Sequence, residues 1–242
     1  MSLVITDLTI SAEDAVIDTD VSITVNPGEL HIVMGPNGAG KSTLANALGG
    51  HPNYTVESGS IVLDKTDITF SKPEERAKAG LMLSMQHIPA IEGLTVTNFL
   101  RTAYNARFET KVNPAKFYRQ LKELCDGVKL PHDVLKRHVG VGFSGGEKKR
   151  LEMMQLELFD PSYAILDETD SGLDVDALKL IAAKIQAMRK AGKGVLLITH
   201  HIAFLKEMTP DNVYIMASGK IVKEGDISLA ETIETEGFES YG

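Results

Sequence analysis

The chain has one cysteine, no tryptophan and few aromatic residues, 6% of its 242 positions. A lone Cys125 excludes an intrachain disulfide and fits a reducing, cytoplasmic setting. One thiol also excludes an iron–sulfur cluster held by this chain alone, because such clusters usually take four cysteine ligands. The 7 histidines are scattered, only His200 and His201 are adjacent, and no spacing matches a zinc site. Basic residues are outnumbered: 25 Lys plus Arg against 33 Asp plus Glu leave a formal net charge of −8. That balance argues against a nucleic-acid surface and against general attraction to an anionic membrane. Local anion sites survive it, since backbone N–H groups bind phosphate whatever the net charge. No uncharged apolar run approaches about 18 residues, so no membrane span is expected. The first residues are acidic early, with no basic start before an apolar stretch, which predicts no signal peptide.

What is present is 43% apolar residues arranged in short runs. β-branched apolar runs at 3–10, 21–25, 30–34, 61–63, 81–85, 163–166, 195–199 and 213–216 read as strands. Those at 163–166 and 195–199 are nearly continuous, as in strands buried on both faces of a parallel sheet. Helical patterns at 41–48, 147–158 and 175–190 lie between them, giving an α/β class. The crowded early strands predict a small antiparallel β subdomain beside the mixed, mainly parallel sheet and its flanking helices. Helical character at 97–107 and 115–127, with no convincing strand nearby, marks an inserted α-helical subdomain. The expected organisation is one domain, 1–242, with a catalytic core at 1–87 and 159–242 and a helical insert at 88–158. The Glu-rich tail, 224–242, reads as a short solvated helix with a frayed end.

Gly35-Pro36-Asn37-Gly38-Ala39-Gly40-Lys41-Ser42-Thr43 fits the phosphate-loop pattern G-x-x-x-x-G-K-[ST], with a strand before it and a helix after it. Glycines let successive N–H groups face phosphates, and the helix start adds roughly half a positive charge. Lys41 is assigned to the β- and γ-phosphates of ATP and Ser42 to Mg²⁺. The apolar run ending at Asp167-Glu168 puts acids at the carboxyl edge of the sheet, where α/β folds bind ligands. Asp167 is expected to hold Mg²⁺ through water and Glu168 to polarise the attacking water. Ser144 with Glu147 three positions later is a capping box. Gly145 and Gly146 exceed that need, because they cost helix stability. Unhindered N–H groups there make a second phosphate site, which suggests an ATP site built from two chains.

In these motifs and their order the chain resembles the ABC (ATP-binding cassette) ATPases along nearly its whole length. That resemblance implies that Gln86 senses Mg²⁺ and water, that Ser144, Gly145 and Gly146 contact the nucleotide of a second copy, and that Asp174 lies in a loop joining the two sites. It also makes His200 the switch residue that steadies the γ-phosphate. The segments from Gly28, from Gly142 to Arg150 and from Asp167 to Lys179 more closely resemble the SufC family, the ATPases of SUF iron–sulfur cluster assembly. Transporter cassettes more often carry L-S-G-G-Q and S-A-L-D, where this chain has Phe143-Ser-Gly-Gly-Glu147 and Ser171-Gly-Leu-Asp174. The implied partners are a second copy, in an ATP-dependent dimer, and a SufB- or SufB/SufD-like scaffold. Such chains also allow a resting tie between Glu168 and Lys148 or Lys149. Two readings compete: the nucleotide-binding subunit of a membrane transporter, and a non-hydrolysing ATP-gated module. The family's usual adenine-stacking aromatic is missing from 11–16, which leaves apolar contact from Val16, and the segment 85–94 departs from the SufC pattern.

Overall fold

The computed structural model describes residues 1–13, 15–84, 89–169, 175–201, 204–205 and 207–238. Strands β1 (Leu3–Ala12), β2 (Ala15–Val25), β4 (Tyr54–Leu63) and β5 (Thr66–Asp67) form an antiparallel sheet in the order β2-β1-β4-β5. The central sheet holds β3 (Leu30–Met34), β6 (Leu81–Ser84), β9 (Tyr163–Asp167), β10 (Gly194–Ile198), β11 (Asn212–Ala217) and β12 (Lys220–Gly225). Its order is β12-β11-β3-β10-β9-β6, parallel throughout except for the β11–β12 pair. Every residue of β3, β9 and β10 is buried, which is why these runs lack the polar alternation of a half-exposed strand.

Helix α1 (Lys41–Gly49) lies in the core between the two sheets. Its Leu44, Ala45 and Leu48 pack with Ile5, Leu8 and Ile10 of β1, Val33 of β3 and Ile165 of β9. The opposite face of the central sheet is covered by α5 (Gly145–Phe159) and α6 (Val175–Lys190), through Leu151, Met154 and Ile185. Helices α3 (Val96–Arg107) and α4 (Pro114–Gly127) join the same core through Leu100, Phe117 and Cys125. Cys125 is fully buried beside Met154, so it is a packing residue.

Several boundaries differ from expectation. The insert does contain strands: β7 (Ile91–Thr95) pairs with β8 (His138–Val139). Both are short, and β7 has no fully buried residue, so its sequence carries no alternation to read. Strands β2 and β4 extend beyond the apolar runs because both pair along the length of β1. The short α2 (Pro73–Ala79) was not legible as an amphipathic repeat. It starts on Pro73, with Glu75 accepting a hydrogen bond from the Lys72 N–H, and ends at the left-handed Gly80. Helix α7 (Ile227–Glu236) is docked rather than solvated, with Leu229, Ala230 and Ile233 in the core.

Two features fix what lies around α1. A bulge in β2 sets the first: Leu8 pairs with Val21 but Ile10 pairs with Asp18, so β2 uses three steps where β1 uses two. Asp20 takes a left-handed conformation there, φ 55°. The inward phase set by Val21, Ile23 and Val25 therefore slips, which places Asp18 inside and Ile17 outside. The second is the buried Arg76. Its guanidinium donates to the carbonyls of Ala47 (2.8 Å) and Leu48 (2.7 Å) at the carboxyl end of α1, and to Thr69 (2.7 Å) and Ser71 (2.9 Å). All four acceptors are neutral carbonyls, two of them at the negative end of the α1 dipole. Arg76→Ala removes these bonds, leaves the Ala47 carbonyl with only its bond from the Gly50 N–H, and should cost about 3 kcal/mol, read as a lower urea midpoint at unchanged slope. Arg76→Lys should recover only part of that, because one ammonium cannot reach the whole fork of acceptors.

Candidate nucleotide site

Strands β3, β10 and β9 are adjacent and parallel, so the segments leaving their carboxyl ends meet at one edge. Ile198 sits level with Val33 on one side and Asp167 on the other. The register continues past the strands: the Thr199 N–H donates to the Val33 carbonyl at 3.3 Å, and the Glu168 N–H to the Ile198 carbonyl at 3.0 Å. This ladder brings the loop after β3, the acids after β9 and the histidines after β10 together.

The loop Gly35–Gly40 runs into α1 at Gly40, a left-handed residue with φ 104°. No side chain caps this helix start and its first turn holds no acid, so its N–H groups and positive dipole end are free for an anion. Gly35 is required by crowding, since a Cβ there would fall 2.1 Å from the Met216 carbonyl oxygen. Lys41 is buried, and its Nζ donates to the Gly35 (2.9 Å) and Pro36 (2.8 Å) carbonyls, bracing the loop. Burial lowers the Lys41 pKa, with Glu168 and Asp167 pulling the other way. A cleft of about 490 Å³ opens over the loop, lined by Ile17, Asn37, Gly38, Ala39, Gly40, Lys41, Ser42, Thr43 and Glu168. Ile17 was not anticipated: Val16 is the more exposed of the two, and the β2 bulge decides which one faces the cleft.

Asp167 is 3% exposed, its Oδ1 has no hydrogen-bond partner among the described residues, and burial raises its pKa against a hydrogen bond from Ser42. An unsatisfied carboxylate oxygen beside a hydroxyl is an oxygen-only donor set, the kind Mg²⁺ takes from protein while phosphates and water fill its remaining positions. Mg²⁺ therefore fits Ser42 and Asp167. Glu168 adopts a left-handed backbone, φ 47°, and lies 3.8 Å from Nδ1 of the half-exposed His200. That conformation costs a non-glycine residue energy, and such strain recurs at functional sites. Lys149 is buried and paired with Glu152 at 3.3 Å. Gln86 and Asp174 lie outside the described residues.

Ser144, Gly145 and Gly146 sit at the start of α5 and are not among the described lining of this cleft. The capping box is complete: Ser144 Oγ accepts from the Glu147 N–H at 3.1 Å, and Glu147 Oε2 from the Ser144 N–H at 2.8 Å. Arg137 grips Glu147 through two bonds, 2.9 and 3.1 Å, and stacks over Phe143 at 4.5 Å. This clamp was not foreseen, because nothing local in the sequence ties residue 137 to residue 147. Among the described residues a Cβ on Gly145 or Gly146 would meet nothing within 4 Å beyond its own helix, so no contact described inside the chain explains the two glycines.

The family model described as "ABC transporter" matches residues 19–171. Vegetative protein 296 of Bacillus subtilis (strain 168) is 45% identical over 240 residues, covering 98% of this chain and 92% of that protein. A probable ATP-dependent transporter ycf16 of Cyanophora paradoxa is 44% identical over 223 residues, covering 90% of this chain and 86% of its own length. A nucleotide-free ATP-binding cassette from an ABC transporter superposes with a TM-score of 0.80 at 22% identity, covering 100% of this chain and 98% of that one. The dimeric post-hydrolysis structure of the cassette MJ0796 bound to ADP and Pi gives 0.81 at 19% identity, covering 94% and 99%.

The Lys41 contacts carry a prediction. Lys41→Ala removes both the brace and the cation facing the phosphates, and should weaken MgATP binding about 10- to 100-fold in equilibrium titration. The fold should persist, because Lys41 makes its bonds to one local loop.

Proposed function

The chain belongs to the ABC transporter ATP-binding family, and from that premise we propose that it works as an ATPase whose two copies close head-to-tail over two MgATP. Each nucleotide lies between the phosphate loop of one copy and the Ser144–Gly146 turn of the other. The observation that carries this reading is the open space around Gly145 and Gly146: a backbone kept bare at a helix start, away from the chain's own cleft, is suited to phosphate arriving on another molecule. The relative MJ0796 supports it as a cassette described in a dimer with ADP and Pi.

In this mechanism Lys41 and the loop N–H groups hold the β- and γ-phosphates. Ser42, Asp167 and Gln86 hold Mg²⁺, which supplies neutralisation of charge on the phosphate oxygens. Glu168 orients and polarises the attacking water, and His200, beside it, steadies the γ-phosphate and the carboxylate. Asp174 links the two sites. Ile17 supplies the apolar contact to the base in place of an aromatic ring. Loss of the γ-phosphate removes the link between two chains that each carry a net charge of −8, and they part. A single chain lacks half of each site and should turn over slowly.

We assign the motion to the helical insert, 88–158, acting against the core on a SufB- or SufB/SufD-like scaffold in iron–sulfur cluster assembly, in the cytoplasm. Support comes from the Phe143-Ser-Gly-Gly-Glu147 and Asp170-Ser-Gly-Leu-Asp174 details, and from a chain whose one cysteine is buried. A second reading, the ATP-binding subunit of a transporter, is favoured by the printed names of several relatives, among them a probable ABC transporter ATP-binding protein of Streptococcus pyogenes, 42% identical over 238 residues. Among the described residues no helix is long and apolar enough to cross a membrane. Affinity purification of the tagged chain from its native cells separates the two: a soluble cysteine-bearing scaffold supports the first, and an integral membrane permease the second. For the chemistry, Glu168→Gln should keep nucleotide binding, lower turnover at least about 100-fold and trap an ATP-bound dimer. Turnover at the parent rate would remove Glu168 from its role.

A further inference from the structure

Asp18 is fully buried, and neither of its carboxyl oxygens has a hydrogen-bond partner among the described residues. The β2 bulge puts it there. Its surroundings are the back of the phosphate loop. A Cβ on Gly40 would lie 1.8 Å from Asp18 Oδ1, so the carboxyl fills the space that a side chain at Gly40 would need. The Met216 methyl closes the same spot, 2.9 Å from that position. The turn at Gly219 locks both sides: the Thr19 N–H donates to the Gly219 carbonyl at 2.8 Å, and the Gly219 N–H to the Ala39 carbonyl at 3.0 Å. Residues 17–19, the loop at 39–40 and the turn at 219 thus form one interlocked unit, with the Asp18 carboxyl in its middle.

The charged groups on the packed elements are few. Lys41 follows Gly40, but its Nζ is engaged by Gly35 and Pro36. Lys220 follows the turn, Asp20 lies on the same strand, and Ile10 and Met216 face in from β1 and β11 as apolar groups. None of them offsets the burial, which pushes the Asp18 carboxyl up to about 8. At neutral pH it keeps its proton.

We infer that Asp18 is a positioning residue which seats the phosphate loop as a neutral carboxylic acid, so that the loop binds a nucleotide's phosphates tightly while that proton is present and weakly once it is lost. This rests on the nucleotide reading above and adds to it a residue that no motif includes. Ionised, Asp18 would set a negative charge behind the phosphates and oppose the positive helix start. By linkage, bound phosphate raises the proton affinity of Asp18, and proton loss lowers phosphate affinity by the same factor. Stability follows the same sign. A carboxyl raised from 3.8 to about 8 contributes most below the lower value and loses that contribution as pH climbs to the higher one.

The test compares wild type with Asp18→Asn and Asp18→Leu in two measurements between pH 7 and 9. One is the dissociation constant of MgADP; the other is urea stability without nucleotide. Wild type should lose about tenfold more affinity than either variant over this range. It should also lose stability relative to them as pH rises. Affinities that fall in parallel, with a constant stability gap, overturn this inference and leave the nucleotide site standing. Failure of all three proteins to bind MgADP at pH 7 overturns both. Should one variant not fold, the other supplies the comparison, and the wild-type stability profile reads the proton directly.

Discussion

Helix α1 begins without a cap. A helix start normally satisfies its first N–H groups with a nearby side chain or water, and one left uncapped under an open cleft presents them to an anion. Much of the surrounding structure supports that arrangement. The central strands are buried on both faces, so the edge they end on is rigid. Arg76 satisfies the far end of the helix, where carbonyls rather than N–H groups lack partners. Lys41 bridges back to the loop carbonyls and braces the loop. Opposite ends of one nine-residue helix are thus served by two buried cations, each donating to backbone carbonyls.

The acids on the facing strand show the complementary economy. Asp167 and Glu168 are consecutive, yet one is nearly inaccessible beside Ser42 and the other reaches toward solvent and His200. The strand ends at Asp167, and Glu168 leaves it in a left-handed backbone, so the two side chains lie in different surroundings. Two carboxylates of the same chemistry are in this way given separate surroundings, one suited to holding a cation and the other to handling water.

Much of this was legible in the sequence because it depends on local pattern. The phosphate loop combines glycine spacing with a strand before it and a helix after it, and all three were recovered. Nearly continuous apolar runs identified β9 and β10 because burial on both faces leaves no alternation to confuse. What could not be read depends on long-range pairing. The two strands of the insert are separated by more than forty residues and carry no apolar face of their own. Arg137 finds Glu147 only after the chain has turned. The clearest case is β2, where period-two reading from Val21 backwards puts Thr19 and Ile17 inward. One extra residue, accommodated at the left-handed Asp20, reverses that phase and brings a carboxylate into the core. A bulge of this kind has no signature that a single sequence exposes.

The closed capping box at the start of α5 has a kinetic consequence. Ser144 and Glu147 satisfy each other, and Arg137 fixes Glu147 from the side, so the turn carrying Gly145 and Gly146 is already ordered in the isolated chain. A bare pair of glycines would otherwise lose much backbone freedom on meeting a ligand. With that ordering completed during folding, a molecule docking at this turn would meet a finished surface, and its rate of docking would be governed by encounter and charge rather than by rearrangement of the turn.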